Sequence, residues 1–223
     1  MTGLSGCGVI LAGGKSSRMG TAKELLDWQG EPLLLHLVHR VLANKLPCLV
    51  ISNTPEQLPL EALRRLHVQV TSDISPSHGP ISGIHTALTL RNEDVFLFLS
   101  CDLPFVQADD IAQLMKHVDQ LETFDAIVPR TNERIHPLFA LYHRRTKRIW
   151  EEALQTNNLK VMKVLDQLHV HYLSSGELSE WSTFNMNTPE QYQIACEKGR
   201  EIDAFSKRDS NSGRSNPKNT GTS

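Results

Sequence analysis

The sequence predicts an α/β fold, a mostly parallel sheet with helices on both faces. Three observations carry that expectation. Short β-type runs alternate with helical patterns along the chain, the order of βαβ units. Several of these runs, such as Val95 to Leu99, are nearly continuous in apolar residues, as strands covered on both faces must be. The first run also feeds directly into a glycine-rich, cationic loop, the place where open α/β sheets bind ligands. The 223 residues fit one domain over 1–205 followed by a polar tail over 206–223.

Taken in order, the expected strands are Gly8 to Leu11, Cys48 to Ser52, Val68 to Thr71, Val95 to Leu99, Ala126 to Val128 and Leu138 to Tyr142. The first crossover helix starts at Pro32, after which Leu33, Leu34, Leu37, Val38 and Val41 recur at helical spacing. Further helices are expected over Leu58 to Leu66, Ile81 to Leu90, Asp109 to Leu121, Thr146 to Gln155 and Pro189 to Lys198. Thr188 and Gln191, with Pro189 between them, form a capping-box pattern at the start of the last helix. Ser206 to Ser223 contain no large apolar side chain and carry a charge of about +3. Such a segment cannot offset its ordering entropy by burial, so a disordered tail is expected.

Composition narrows the function classes. The formal net charge is −2, so no overall basic field recruits nucleic acid or an anionic membrane. No apolar run reaches the roughly 18 residues of a bilayer span, and Met1 to Gly8 lacks a signal-peptide layout, which predicts a cytoplasmic protein. Cys7, Cys48, Cys101 and Cys196 lie far apart with no C-x-x-C pair and no zinc-like spacing, and are expected to be reduced and buried.

The strongest chemical signal is V-I-L-A-G-G-K-S-S-R-M-G, from Val9 to Gly20, followed by Lys23. Gly13 and Gly14 let backbone N–H groups approach phosphate oxygens, while Lys15, Arg18 and Lys23 bring positive charge. That chemistry suits a polyphosphate. Gly14-Lys15-Ser16 is not the end of a P-loop, because that motif requires glycine where Val9 stands. Gly6 and Gly8 likewise lack the third glycine of a dinucleotide fingerprint, since position 11 is leucine.

Asp102 follows the apolar run Val95 to Leu99 and emerges where it can face the same crevice, offering a hard oxygen suited to Mg²⁺ with phosphate co-ligands. A turn or cap carboxylate is the competing reading. Asp73 also ends a strand, and the small-residue turn containing Gly79 and Pro80 then enters a helix, so a ligand base or ribose could meet the carboxylate there. Asn53 closes another strand and suits either a nucleoside contact or a plain turn. Asn185 and Asn187, two apart, would project to one face of an extended segment, where they serve a phosphate, a metal-bound water or only the turn. His136 opens a strand and is a candidate contact to an anionic substrate.

These pieces, in this order, resemble the molybdenum cofactor guanylyltransferases, which attach GMP to molybdopterin-bound molybdenum. The resemblance spans roughly Gly8 to Tyr192 and comprises L-A-G-G-K-S-S-R-M-G with Lys23, Asn53, Asp73 followed by G-P-I-S-G, C-D-L-P around Asp102, H-P-L-F-A-L-Y from His136, and F-N-M-N-T-P. It implies a Rossmann-like nucleotidyltransferase fold in which Leu11, Ala12, Gly13, Lys23, Asn53, Asp73 and Asp102 contact GTP, with Asp102 also holding Mg²⁺. Arg18 would neutralise the triphosphate, and Asn185 and Asn187 would belong to the active-site face. Gly79, Pro80 and His136 join these asparagines as substrate-binding expectations. GTP and molybdenum-molybdopterin are the implied substrates, with cofactor-delivery or acceptor proteins as further partners. Two positions depart from the family pattern: Ala22 replaces a frequent acidic residue before the lysine, and Ser17 stands where a second arginine is frequent.

Two alternatives stay open at this level. A cytidylyltransferase or another nucleotidyltransferase would share the frame, although CTP-using relatives resemble L-A-A-G at the first loop and sugar-nucleotide enzymes carry proline where Ala22 stands. A noncatalytic GTP-binding or cofactor-binding module would keep the fold without turnover.

Overall fold

A computed structural model of the chain describes residues 3–13, 22–131 and 134–212. The strands are β1 (Gly6–Leu11), β2 (Asp27–Trp28), β3 (Glu31–Pro32), β4 (Cys48–Ile51), β5 (Gln69–Thr71), β6 (Val95–Ser100), β7 (Ala126–Thr131), β8 (Arg134–Ile135), β9 (Phe139–His143) and β10 (Val170–Ser174). The helices are α1 (Leu33–Ala43), α2 (Leu60–Arg65), α3 (Gly79–Leu90), α4 (Ala108–Gln120), α5 (Lys147–Gln155), α6 (Val161–Leu165) and α7 (Pro189–Ser212).

One large sheet runs in the order β10-β7-β9-β6-β1-β4-β5, with β8 paired to β7, while β2 and β3 form a separate hairpin. The pairs β1 with β4, β1 with β6, β4 with β5, and β7 with β10 are parallel. β9 is inserted antiparallel between β6 and β7, and β8 is antiparallel to β7. The sheet is therefore mostly parallel, as its apolar strands predict.

Alternate residues of each strand feed two cores. Ile10, Leu97 and Leu99 pack beneath α1 and α4, against Leu37, Val41, Ile111 and Leu114. Val9, Phe96 and Phe98 face the other way, toward α3 and α5, against Ile84, Leu88 and Trp150. This two-sided burial is the doubly wound arrangement. Cys7, Cys48 and Cys101 are buried free thiols, and burial raises the pKa of each.

Register decides where the chemistry lies. Leu11 pairs with Ile51 on one side and Ser100 on the other, and Ile51 pairs with Thr71. The carboxyl ends of β1, β4, β5 and β6 thus align along one crest, and the residues that follow each strand emerge side by side. The chain passes from β1 to β4 and β5 in one direction and returns to β6 on the other flank of β1, a topological switch point at which a crevice opens.

The sequence misses five of these elements, the short helix α6 among them, and shifts others. β2, β3 and β8 are two residues each, too short to show alternation. β10 is an edge strand in which only Leu173 is fully buried, so V-H-Y-L-S carries no strand-like apolar pattern. Pro32 caps α1 from the hairpin instead of opening the helix. α7 extends to Ser212, seven residues into the segment expected as a polar tail, and residues 213–223 lie outside the described ones. No helix of the described residues is long and apolar enough to cross a membrane.

Candidate active site

At the crest of β1 the chain passes through Leu11 and Ala12 to Gly13. Ala12 N–H donates to the Ile51 carbonyl at 2.8 Å, holding the loop entrance against β4. Gly13 takes φ +133°, a conformation that side-chain-bearing residues rarely adopt, and among the described residues nothing lies within 4 Å of where its Cβ would be. Gly14 and Arg18, expected to continue this cradle, lie outside the described residues.

The chain resumes at Ala22 with a short 3₁₀ turn, Lys23–Leu25, that leads into the β2–β3 hairpin. Lys23 Nζ donates to Asn187 Oδ1 at 2.7 Å and lies 3.8 Å from Asp102 Oδ2. Three side chains from distant parts of the sequence therefore converge beside the switch point. Asp102 is pinned from several directions: its carbonyl accepts from Met186 N–H at 2.8 Å, and its Oδ1 accepts from the Ser100 hydroxyl.

Aromatic packing holds the three segments in place. Trp28 of the hairpin meets Phe105, just beyond Asp102, edge-on at 5.2 Å between ring centroids. Phe105 in turn meets Phe184, three residues before Asn187, at 5.9 Å. Such edge-to-face pairs contribute about 0.5–1.5 kcal/mol each beyond simple burial. The Tyr192 hydroxyl also donates to the Asp27 carbonyl at 2.7 Å, fastening the hairpin to α7.

The last segment is set by its cap. Gln191 N–H donates to Thr188 Oγ1 at 3.2 Å, as the capping-box pattern predicts. The reciprocal bond is displaced by one residue, because Gln191 Oε1 accepts from Asn187 N–H at 2.7 Å and not from Thr188. The cap thereby fixes the backbone of Asn187, whose side chain reaches Lys23. Met186 is fully buried, and Asn185 flanks it half-buried.

Further along the crest, Asn53 and Asp73 bind each other. Asn53 Nδ2 donates to Asp73 Oδ2 at 3.0 Å, and Asp73 N–H donates to Asn53 Oδ1 at 3.2 Å. The other carboxylate oxygen, Asp73 Oδ1, is buried without a close, well-aligned hydrogen bond among the described residues, and so is Ser82 Oγ. Burial raises the Asp73 pKa, opposed by hydrogen bonding from the Asn53 and Ser82 side chains. A methyl group on Gly83 would come within 2.7 Å of Leu11 Cδ2 and 3.5 Å of Asp73 Oδ1, so α3 and the end of β1 pack beside this carboxylate too closely for a side chain there. Gly79 and Pro80 form the first turn of α3.

His136 lies on the opposite side of the switch point. Its Nε2 is 2.6 Å from Thr131 Oγ1 and its N–H donates to the Pro129 carbonyl at 3.0 Å. Burial and the nearby Arg134 charge lower its pKa to about 4, so the ring is neutral near pH 7. It braces the β7–β8 turn.

The expected site residues thus form two groups on one crest: Lys23, Asp102 and Asn187 at the switch point, and Asn53 with Asp73 one and two strands from β1. Sequence reasoning missed Ser100 and Ser82, and read Gln191 only as a cap residue. Ser100 carries a readable signal, a hydroxyl two residues before a strand-end carboxylate. Ser82 and Gln191 act through neighbours that only folding supplies.

Known proteins resemble this chain in sequence and in fold. The family model described as the MobA-like NTP transferase domain matches residues 8–171. A probable molybdenum cofactor guanylyltransferase of Pelotomaculum thermopropionicum is 36% identical over 191 residues, covering 83% of this chain and 89% of the relative. Its counterpart in Bacillus licheniformis is 32% identical over 183 residues, covering 80% and 90%. The crystal structure of molybdopterin-guanine dinucleotide biosynthesis protein A from Archaeoglobus fulgidus superposes with a TM-score of 0.72 at 23% identity, covering 89% of this chain and 98% of that one, a likeness of fold. The chain belongs to the MobA-like NTP transferase family, with the molybdenum cofactor guanylyltransferases among its relatives.

Proposed function

We propose that the crest is the active site of a molybdenum cofactor guanylyltransferase, which transfers GMP from GTP to molybdenum-molybdopterin and releases pyrophosphate. The observation that carries this assignment of residues is the convergence of Lys23, Asp102 and Asn187 beside the glycine turn at the switch point. It supplies a cation and a carboxylate where a triphosphate would lie, and the relatives' names supply the reaction.

Sheet geometry supports an orientation for the nucleotide. β1 and β5 are two strand spacings apart, about 10 Å. A GTP whose phosphates rest at Gly13 and Lys23 therefore extends its base toward Asn53 and Asp73. An Asp73 carboxylate oxygen is an acceptor, and guanine presents adjacent N–H donors on one edge, whereas adenine and cytosine place a ring-nitrogen acceptor at the corresponding position. Burying an acceptor against an acceptor is costly, so this oxygen favours guanine. The acceptor substrate is left the half of the crest over β9 and β7.

The chemistry is charge management. A terminal phosphate monoester is substantially dianionic near pH 7, so its oxygen attacks the α-phosphorus of GTP without a dedicated base. A phosphoanhydride bond forms as the bond from the α-phosphorus to the bridging oxygen breaks, and the electron pair leaves with pyrophosphate. Lys23 lowers the repulsion between the anions, and the Asn187 bond holds its ammonium in place. Arg18 is proposed to assist from the loop.

Mg²⁺ fits the donor set. No group of three or more His, Cys, Asp or Glu side chains suited to a metal occurs among the described residues, whereas Mg²⁺ commonly takes one or two carboxylates and completes its shell with substrate phosphates and water. Asp102 Oδ2 would hold it. When bound, Mg²⁺ supplies neutralisation of charge on the phosphate oxygens.

The test compares GTP, CTP and ATP with molybdenum-loaded molybdopterin, following pyrophosphate release. GTP alone should support rapid release. Comparable rates with CTP would overturn the base assignment, and GTP binding without release would favour a noncatalytic module.

A further inference from the structure

The two oxygens of Asp102 have different partners. Oδ1 accepts from the Ser100 hydroxyl, two residues earlier, and Oδ2 faces the Lys23 ammonium at 3.8 Å. The backbone on either side of this contact is fixed. Ser100 N–H donates to the Leu138 carbonyl at 2.9 Å, and the Asp102 carbonyl accepts from Met186 N–H at 2.8 Å. The hydroxyl is therefore set against one carboxylate oxygen by the entry to β9 on one side and by the asparagine segment on the other.

That asymmetry bears on metal choice. A carboxylate binds a cation through one oxygen or through both. Mg²⁺ is small, holds strict octahedral geometry and is served by single oxygens, whereas Ca²⁺ accepts six to eight oxygens and readily takes a carboxylate through both. A hydroxyl donor takes one lone pair of the oxygen it bonds, which makes that oxygen the weaker metal ligand of the two.

We infer that Ser100 is a specificity-determining positioning residue: its hydroxyl bond weakens Asp102 Oδ1 as a ligand and favours binding through Oδ2 alone, which discriminates against the larger cation. The inference rests on the assignment of Asp102 as the metal-holding residue. In this role Ser100 acts through Asp102. Removing its hydroxyl frees Oδ1 for two-oxygen binding, and Ca²⁺ gains more from that than Mg²⁺ does.

The experiment uses the full chain with GTP and no acceptor, so that no turnover occurs. Mn²⁺ is bound as the probe, its electron paramagnetic resonance signal is followed, and Mg²⁺ or Ca²⁺ is titrated as competitor. For Ser100→Ala the ratio of Ca²⁺ to Mg²⁺ displacing power should shift toward Ca²⁺ by about tenfold, the scale of one hydrogen bond to a charged group. Ser100→Thr, which keeps the hydroxyl, should retain the unsubstituted ratio. An unchanged ratio in folded Ser100→Ala would overturn the role of Ser100 while leaving the metal assignment standing, as would a shift of equal size in Ser100→Thr. Should the unsubstituted chain bind no Mn²⁺ with GTP, or Asp102→Asn bind it undiminished, the metal assignment itself would fall and this inference with it.

Discussion

Lys23 Nζ and Asn187 Oδ1 are bonded at 2.7 Å although 164 residues separate them in the chain. A neutral amide anchors the ammonium here, while the nearby carboxylate stands off at 3.8 Å. The lysine charge is consequently placed without being fully neutralised by its own protein, and it stays available to a phosphate.

Replacing that anchor should affect rate more than stability. In Asn187→Ala the ammonium loses its amide and is free to turn to Asp102 Oδ2, giving up its position toward the nucleotide. Pyrophosphate release at saturating GTP should fall about tenfold, the scale of one hydrogen bond to a charged group. The loss of one part-buried bond should lower Tm by only a few degrees, roughly 2–4 °C for a chain of this length. An unchanged rate at saturating GTP would show that the anchor does not position Lys23.

Asp73 gives GTP affinity a pH dependence of known sign. Burial raises its pKa, so on acidification it takes up a proton earlier than an exposed aspartate. The carboxyl then loses acceptor capacity toward guanine, and GTP affinity should fall as pH drops through that raised pKa. Fold stability has the opposite dependence: the folded state binds more protons than the unfolded state in this window, so Asp73 contributes a stability term that falls as pH rises. Calorimetric titration of GTP across acid to neutral pH measures the first effect. In Asp73→Asn the dependence should disappear and discrimination between GTP and ITP, which lacks the exocyclic amine, should shrink. Affinity that is flat with pH in the unsubstituted protein would rule out base recognition by this carboxylate.

Gly8 tests the packing beneath the site. A Cβ at this position would lie 2.3 Å from Val41 Cγ1 and 3.0 Å from Val41 Cγ2, between β1 and α1. Gly8→Ala should destabilise by about 1–3 kcal/mol through overpacking. Adding Val41→Ala should recover part of that loss by vacating the contested space. Denaturant unfolding of the single and double variants measures both, and a Gly8→Ala midpoint equal to that of the unsubstituted chain would contradict the close approach of helix and strand.

By itself the sequence determined the alternation of strands and helices, the two-sided burial of strands such as Val95–Ser100, and the residue types gathered at strand ends. Those features are local: apolar periodicity and glycine-rich turns are written in neighbouring residues. The antiparallel insertion of β9 between β6 and β7 was left to the tertiary structure, because strand order depends on long-range pairing that no local pattern encodes. So was β10, an edge strand whose short and partly polar sequence lacks alternation. The candidate site divides in the same way. Lys23, Asn53, Asp73, Asp102 and Asn187 stand out as residue types, but their partners depend on register and on the aromatic contacts of Trp28, Phe105 and Phe184. Ser100 gained its role only when folding set its hydroxyl against the Asp102 carboxylate, and Gln191, legible as a cap residue, was redirected by folding to the Asn187 N–H.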